Sequence, residues 1–353
     1  MAQEFPTVCG LCSPPPEQNP EGLVLIRDSY QFEDADYTMI GFTPDSDGPH
    51  KLIVGLGGTQ SAPHSFDNSF TLQRGALERT VATQGHGGVI LDFSGADNYP
   101  DFAGAAELFG NPTDFSGSRA KVCEEWVRQG TGVIAGINKL CARDDFDCSS
   151  GIALFGLSMG AGVAVQTSKL LTTPPVNALL TTQFAPLLGG GQPVFQTINP
   201  PGGGPYLLPP HPLALHGCGF DDTDQYPPAL STFVDKTKRL SLISAQDYFG
   251  NPTEDPATTA PLFSLQRDFS GYYDCPDSQN DCTQADGSGY YVVPAGVIPA
   301  EPKPTWLAWK PDKPTPWRIH EVFNYAFVDD AFIGEKWHAD AAFKWLGDAA
   351  FGA

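Results

Sequence analysis

The chain has 353 residues, enough for one large domain with insertions or for two domains. Its 41 acidic against 20 basic residues leave a formal charge of −21, which sets nucleic acid and anionic membrane surfaces aside as partners. Hydrophobic residues make 41% of the chain, and 38 glycines with 33 prolines point to many loops around an ordinary core.

Residues 1–21 are rich in Pro, Cys and polar residues and read as an N-terminal leader. The start MAQEFPTVCG carries no signal-peptide pattern and reads as a mature N-terminus with a Met added. GLVLIRDSY (22–30) and YTMIGFTP (37–44) then read as strands joined by acidic turn residues. KLIVGLGG (51–58) is a continuous apolar run ending in glycines, the form of a strand buried on both faces, and GGVILDFSG (87–95) repeats it. Over 118–141, Val122, Trp126, Val133, Ile137 and Leu140 recur at helical spacing and predict an amphipathic helix. GIALFG (151–156) is a strand, and AGVAVQTSKLL predicts a helix that stops before Pro174. NALLTTQFAP (177–186), PLALHGCG (212–219) and RLSLISA (239–245) are further strand candidates. Residues 187–211 and 251–316 carry too much Gly and Pro for regular structure and read as insertions on the rim of a single domain spanning 22–353. Strands alternating with helices predict an α/β fold with a mostly parallel sheet covered on both faces. No apolar stretch approaches the ~20 residues needed to cross a bilayer.

The eight cysteines include three pairs close in sequence: Cys9 with Cys12, Cys141 with Cys148, and Cys275 with Cys282. No histidine lies near them at ligand spacing, and the C-x-x-C is single, so disulfides are expected in place of zinc. Disulfides imply an oxidising compartment, hence a secreted or periplasmic protein. A monomer is expected.

Chemistry concentrates at GLSMG, residues 156–160. The pattern G-x-S-x-G is weak by itself, since chance supplies on the order of 0.3 matches in such a chain. Its context is stronger: a buried strand before it and a helix after it. Such a turn leaves no room for side chains beside the serine, which accounts for Gly156 and Gly160, with Gly162 easing the packing of the helix. Ser158 is lifted above the sheet with a helix N-terminus behind it, the placement of a nucleophile. Acyl transfer also needs donors for the oxyanion. The backbone N–H of Met159 is one, and Thr59, just past the glycines of LIVGLGGTQ, supplies the other. Those glycines do not form a phosphate loop, because no Lys followed by Ser or Thr comes after them.

The order strand, GLGGT, strand, helix, IALFGLSMGAG, helix resembles the α/β-hydrolase family of serine hydrolases, from about residue 22 to the end. The resemblance implies a triad in the chain order Ser, Asp or Glu, His. The acid then follows a strand downstream of the serine, and the histidine sits in a loop before the last helix. RLSLISAQDYFGNP places Asp247 just past a strand end, whereas PLALHGCGFDDTD sets Asp221, Asp222 and Asp224 further from theirs. Asp247 is preferred, with the Asp221–Asp224 cluster, chiefly Asp222, as the alternative. Two histidines lie downstream. His320 ends a short apolar run in PWRIHEVFNYAF, and His338 falls at the start of the terminal helix in KWHADAAFKWLGD. His320 is preferred as the base and His338 is the alternative. His216 reads as structural, and His64 is a candidate pocket-lining residue. The segment YYDCPDSQNDCTQADGSGYYVV (272–293) resembles one in a small group of uncharacterised, secreted bacterial α/β-hydrolases, with a Cys pair followed by DGSG. In that group D-x-F-G follows the acid strand, as Asp247-Tyr248-Phe249-Gly250 does here. The usual Asp-His dipeptide is Ile319-His320 in this chain.

The expected activity is cleavage of small or polymeric carboxylic esters through an acyl-enzyme, with no cofactor or metal. A peptidase or amidase on the same triad, or a non-catalytic binding protein of the same fold, are the alternatives.

Overall fold

The structure is a computed structural model that describes residues 20–57, 66–93, 115–182, 196–198, 206–208, 237–245, 275, 279–294 and 336–352. Eleven strands are described: β1 (Leu23–Phe32), β2 (Ala35–Pro44), β3 (Leu52–Leu56), β4 (Gly87–Leu91), β5 (Ile152–Leu157), β6 (Val176–Thr182), β7 (Gln196–Ile198), β8 (Tyr206–Leu208), β9 (Lys238–Ser244), β10 (Asp281–Thr283) and β11 (Gly289–Val293). The described helices are α1 (Phe66–Gln84), α2 (Phe115–Cys141), α3 (Met159–Leu170) and α4 (Ala339–Phe351).

Nine strands form one sheet in the order β1-β2-β4-β3-β5-β6-β9-β11-β10. The run from β4 to β11 is parallel, β1 and β2 are antiparallel at one edge, and β10 is antiparallel at the other. This is the expected α/β class, and its strand order is that of the α/β-hydrolase fold. The central strands are buried along their whole length, because helices cover both faces. Ile152 and Leu154 of β5 pack with Val133, Ile137 and Leu140 of α2 and with Ala161 and Ala164 of α3. Ala153, Phe155 and Leu157 point the other way, against Leu77 and Val81 of α1 and Phe343 and Leu346 of α4. The Phe155 and Phe343 rings lie 4.8 Å apart.

Three findings differ from the sequence expectations. A 19-residue helix, α1, occupies the stretch after GLGGT, where the sequence pattern marks neither helix nor strand. Gly289–Val293, inside the expected rim insertion 251–316, is a fully buried strand of the central sheet, bonded to β9 on one side and β10 on the other. Residues 187–211, expected to lack regular structure, contain the short antiparallel pair β7–β8. The strand expected at 212–219 lies outside the described residues.

Two expected disulfides are formed. Cys141–Cys148 closes the turn after α2, and Cys275–Cys282 ties residue 275 to edge strand β10. Cys9 and Cys12 lie outside the described residues. Among the described residues no helix is long and apolar enough to cross a membrane.

Candidate active site

Ser158 occupies the single residue between β5 and α3. Its backbone has φ 53° and ψ −118°, one of two positive-φ conformations at non-glycine residues among those described. A side chain there is held at a cost of roughly 1–3 kcal/mol, so the surroundings must enforce it. They do so from both sides. The Ser158 N–H donates to the Thr182 carbonyl at the end of β6 (3.0 Å), and the Ser158 carbonyl accepts from the Ala161 N–H (3.0 Å). The residue is partly exposed, and its side chain makes no capping hydrogen bond to α3.

The two motif glycines are required by close approach. A Cβ on Gly156 would lie 2.5 Å from both the Ala161 Cα and the Gly160 carbonyl oxygen. A Cβ on Gly160 would lie 2.2 Å from the Gly57 carbonyl oxygen and 2.4 Å from that of Leu56. The helix start therefore rests directly on the end of β3. Gly57, the last described residue before that loop, lies beside the elbow, and the Met159 backbone opens α3. Thr59 itself lies outside the described residues, as does His64.

Of the remaining expected residues, Asp247 follows a described strand, β9. β9 is bonded on one side to β6 and on the other to β11, and the Ala245 N–H donates to the Val293 carbonyl (2.9 Å). Because β5, β6, β9 and β11 are parallel, the chain leaves β9 and β11 at the same end of the sheet as Ser158. Asp247 follows Ala245 by two residues, and it lies outside the described residues together with Asp221, Asp222, Asp224, His216 and His320.

His338 is described. It stands at the N-cap of α4, partly buried. The residues just before it are tied to the β10–β11 hairpin. Lys336 pairs with the Asp281 carboxylate at 2.7 Å, and the Trp337 ring lies 3.6 Å from where a Cβ on Gly287 would be. Just beyond it, Asp340 accepts two hydrogen bonds from Arg79 Nε (2.9 and 2.7 Å). In the sheet β11 stands three positions from β5, roughly 14 Å at the usual strand spacing. His50 and His86 precede β3 and β4, at the end of the sheet opposite Ser158. His86 packs edge-on against Phe351 at 4.7 Å, and burial pushes its imidazole below the ordinary histidine range. Thr182, whose carbonyl fixes the Ser158 amide, carries no signal in the sequence. Only the β5–β6 register, which pairs Leu157 with Thr182, reveals it. Among the described residues no group of three His, Cys, Asp or Glu side chains is arranged to hold a metal ion.

No family model matches this chain, and no curated protein does. Solved structures are similar at low identity. The hypothetical protein PA2218 from Pseudomonas aeruginosa aligns at 11% identity and TM-score 0.31, over 47% of this chain and 44% of that one. The zinc-bound structure of a cold-adapted esterase from an Arctic intertidal metagenomic library aligns at 12% identity and TM-score 0.40, over 78% and 87%. A dienelactone hydrolase-like promiscuous phosphotriesterase from metagenomic libraries aligns at 15% identity and TM-score 0.39, over 88% and 100%. The fold class of this chain rests on its own sheet: parallel strands under two helical layers, with the elbow at the end of β5.

Proposed function

We propose that the protein is a serine hydrolase that cleaves carboxylic esters, with Ser158 as nucleophile. The observation that carries this reading is the backbone of Ser158. A strained residue, pinned on both sides by hydrogen bonds and flanked by glycines that admit no Cβ, raises its hydroxyl at the C-terminal end of the sheet. A turn with no chemical task has no need of a serine there, since glycine would relieve the strain.

His320 is assigned as the base and Asp247 as the carboxylate that orients it. Support for Asp247 is its place in the sequence, three residues past Ser244, where β9 ends at the same end of the sheet as Ser158. Support for His320 over His338 is that residues 336 and 337 are tied to the hairpin at the sheet's far edge. In the reaction, His320 takes the Ser158 hydroxyl proton as Oγ attacks the ester carbonyl. The backbone N–H groups of Met159 and Thr59 hold the oxyanion. The alcohol departs with the proton from His320, and water, deprotonated by His320, releases the acid and frees Ser158. The two disulfides support export to an oxidising compartment.

A fluorophosphonate probe tests the central claim. The native protein is labelled and Ser158→Ala is not; equal labelling of the two removes the reading. With p-nitrophenyl esters of increasing acyl length, His320→Ala and Asp247→Asn lose turnover by about 10³-fold or more while His338→Ala retains it. Loss in His338→Ala with retention in His320→Ala transfers the base to His338.

A further inference from the structure

We propose a buried hydration site between β6 and β9, beneath the elbow, in which one water molecule is held by the hydroxyls of Thr181 and Ser241. Both residues are fully buried, and among the described residues neither hydroxyl has a hydrogen-bond partner. They are also direct neighbours: Thr181 pairs with Ser241 in the parallel register, so both side chains leave the sheet on the same face. The same row continues through Gly156 of β5 on one side and Tyr290 of β11 on the other. Thr181 and Ser241 thus put two polar side chains next to each other in a buried row at the centre of the sheet.

A buried hydroxyl without a partner is costly, and two such groups side by side make an unfavourable arrangement for a folded chain to keep. A single water resolves both. Neighbouring strands stand about 4.8 Å apart, a gap that two hydrogen bonds of about 2.8 Å meeting at one oxygen can bridge. Water brings two donors and two acceptors, so it serves either hydroxyl in either role. The position gives the site a structural consequence. β6 ends in Thr182, whose carbonyl holds the Ser158 amide, and β9 runs on toward Asp247. The water ties these two strands through their side chains as well as their backbones. The site does not depend on the reaction proposed for Ser158, and an inactive protein would leave it standing.

A crystal structure at about 1.5 Å resolution, with thermal unfolding of Thr181→Val, Ser241→Ala and the double variant, tests the proposal. The expected result is density for a water within hydrogen-bonding distance of both oxygens. Each single variant then lowers Tm by about 2–4 °C, and the double variant loses less than the two losses added. Two results overturn it. One is a rise in Tm for the single variants, which marks a dry site relieved of unsatisfied hydroxyls. The other is density in which the two side-chain oxygens bond directly to each other.

Discussion

Ser158 stores strain that its own side chain creates. At φ 53° and ψ −118° a Cβ crowds the backbone, whereas glycine sits there without penalty. Substitution should therefore separate stability from activity. Ser158→Gly and Ser158→Ala both abolish probe labelling, but Ser158→Gly unfolds at higher free energy than Ser158→Ala, by about 1 kcal/mol in urea. Equal stabilities would mean that the elbow is not strained. The adjacent glycines behave in the opposite sense. Gly160→Ala forces a Cβ to within 2.2 Å of the Gly57 carbonyl oxygen, a main-chain atom that no rotamer can move. The expected loss is about 3 kcal/mol or more in thermal unfolding, and a variant within about 1 kcal/mol of the parent would contradict the close approach. Residues of this kind are legible in the sequence, because a sharp strand-to-helix turn dictates local composition. Thr182 is not, since its part is played by a carbonyl that any residue could supply.

The terminal helix and the β10–β11 hairpin support each other as elements. Trp345 is 7% exposed; its Nε1–H donates to the Asp286 carbonyl at 2.9 Å, and its ring lies over Gly287. Lys336 pairs with Asp281 and Lys238 lies 3.6 Å from Asp286, so the hairpin is held from α4's entry and from β9. Trp345→Ala should cost about 3–5 kcal/mol through the cavity it leaves. Trp345→Phe should cost less than half as much, since it keeps most of the ring volume and gives up one hydrogen bond. Urea unfolding with matched m-values checks both, and a Phe variant as unstable as the Ala variant would locate the effect elsewhere. The hairpin is also an element that local pattern hides. GYYVV is five residues long and preceded by DGS, which has the composition of a loop, yet its aromatic and β-branched side chains fill a sheet position buried on both faces. Helix α1 is hidden for a related reason. Among its described residues the buried positions are Ala76, Leu77, Thr80 and Val81, of which one is small and one polar, and the helix is held by packing on α4, β2 and β4. By contrast β3 and β5 are plain, because a parallel strand covered on both faces needs an unbroken apolar run.

At the scale of the whole molecule, fold class follows from the alternation of elements, while the acid and base proposed for Ser158 do not, because contacts between distant residues are not specified by chain order alone. Charge is the other property of the whole, and it sets the response to pH. Among the described residues, four aspartates are held below their ordinary carboxylate range. Asp28 is held by hydrogen bonds from Lys139 and Ser29, and Asp147 by Lys51 and Ser149. At Asp281 and Asp286 burial opposes ionisation, but Lys336 with Thr283 and Ser288 with Lys238 outweigh it. A carboxylate with a lowered folded pKa binds fewer protons than its unfolded counterpart. The stability it contributes is present above the unfolded value near 4 and is lost as pH falls below it. His86 adds a second, earlier limb. Burial against Phe351 and Gly347 lowers its folded pKa, so below the unfolded value near 6.5 the unfolded chain takes up a proton that the folded chain resists. Its contribution is therefore complete above about pH 7 and is lost as pH falls through about 6.5 toward the folded pKa. Asp348 opposes this shift, whereas Lys51 and His50 reinforce it. The Tm should accordingly fall in two steps on acidification, one beginning just below about pH 7 and one below about pH 4. His86→Gln should remove the first step and leave the second. Thermal unfolding from about pH 8 to about pH 3 at constant ionic strength is the measurement. A Tm flat between about pH 7 and about pH 5.5 in the parent, or an identical decline in His86→Gln, would show that the contact between the α1–β4 turn and the terminal helix does not govern the neutral-pH limb.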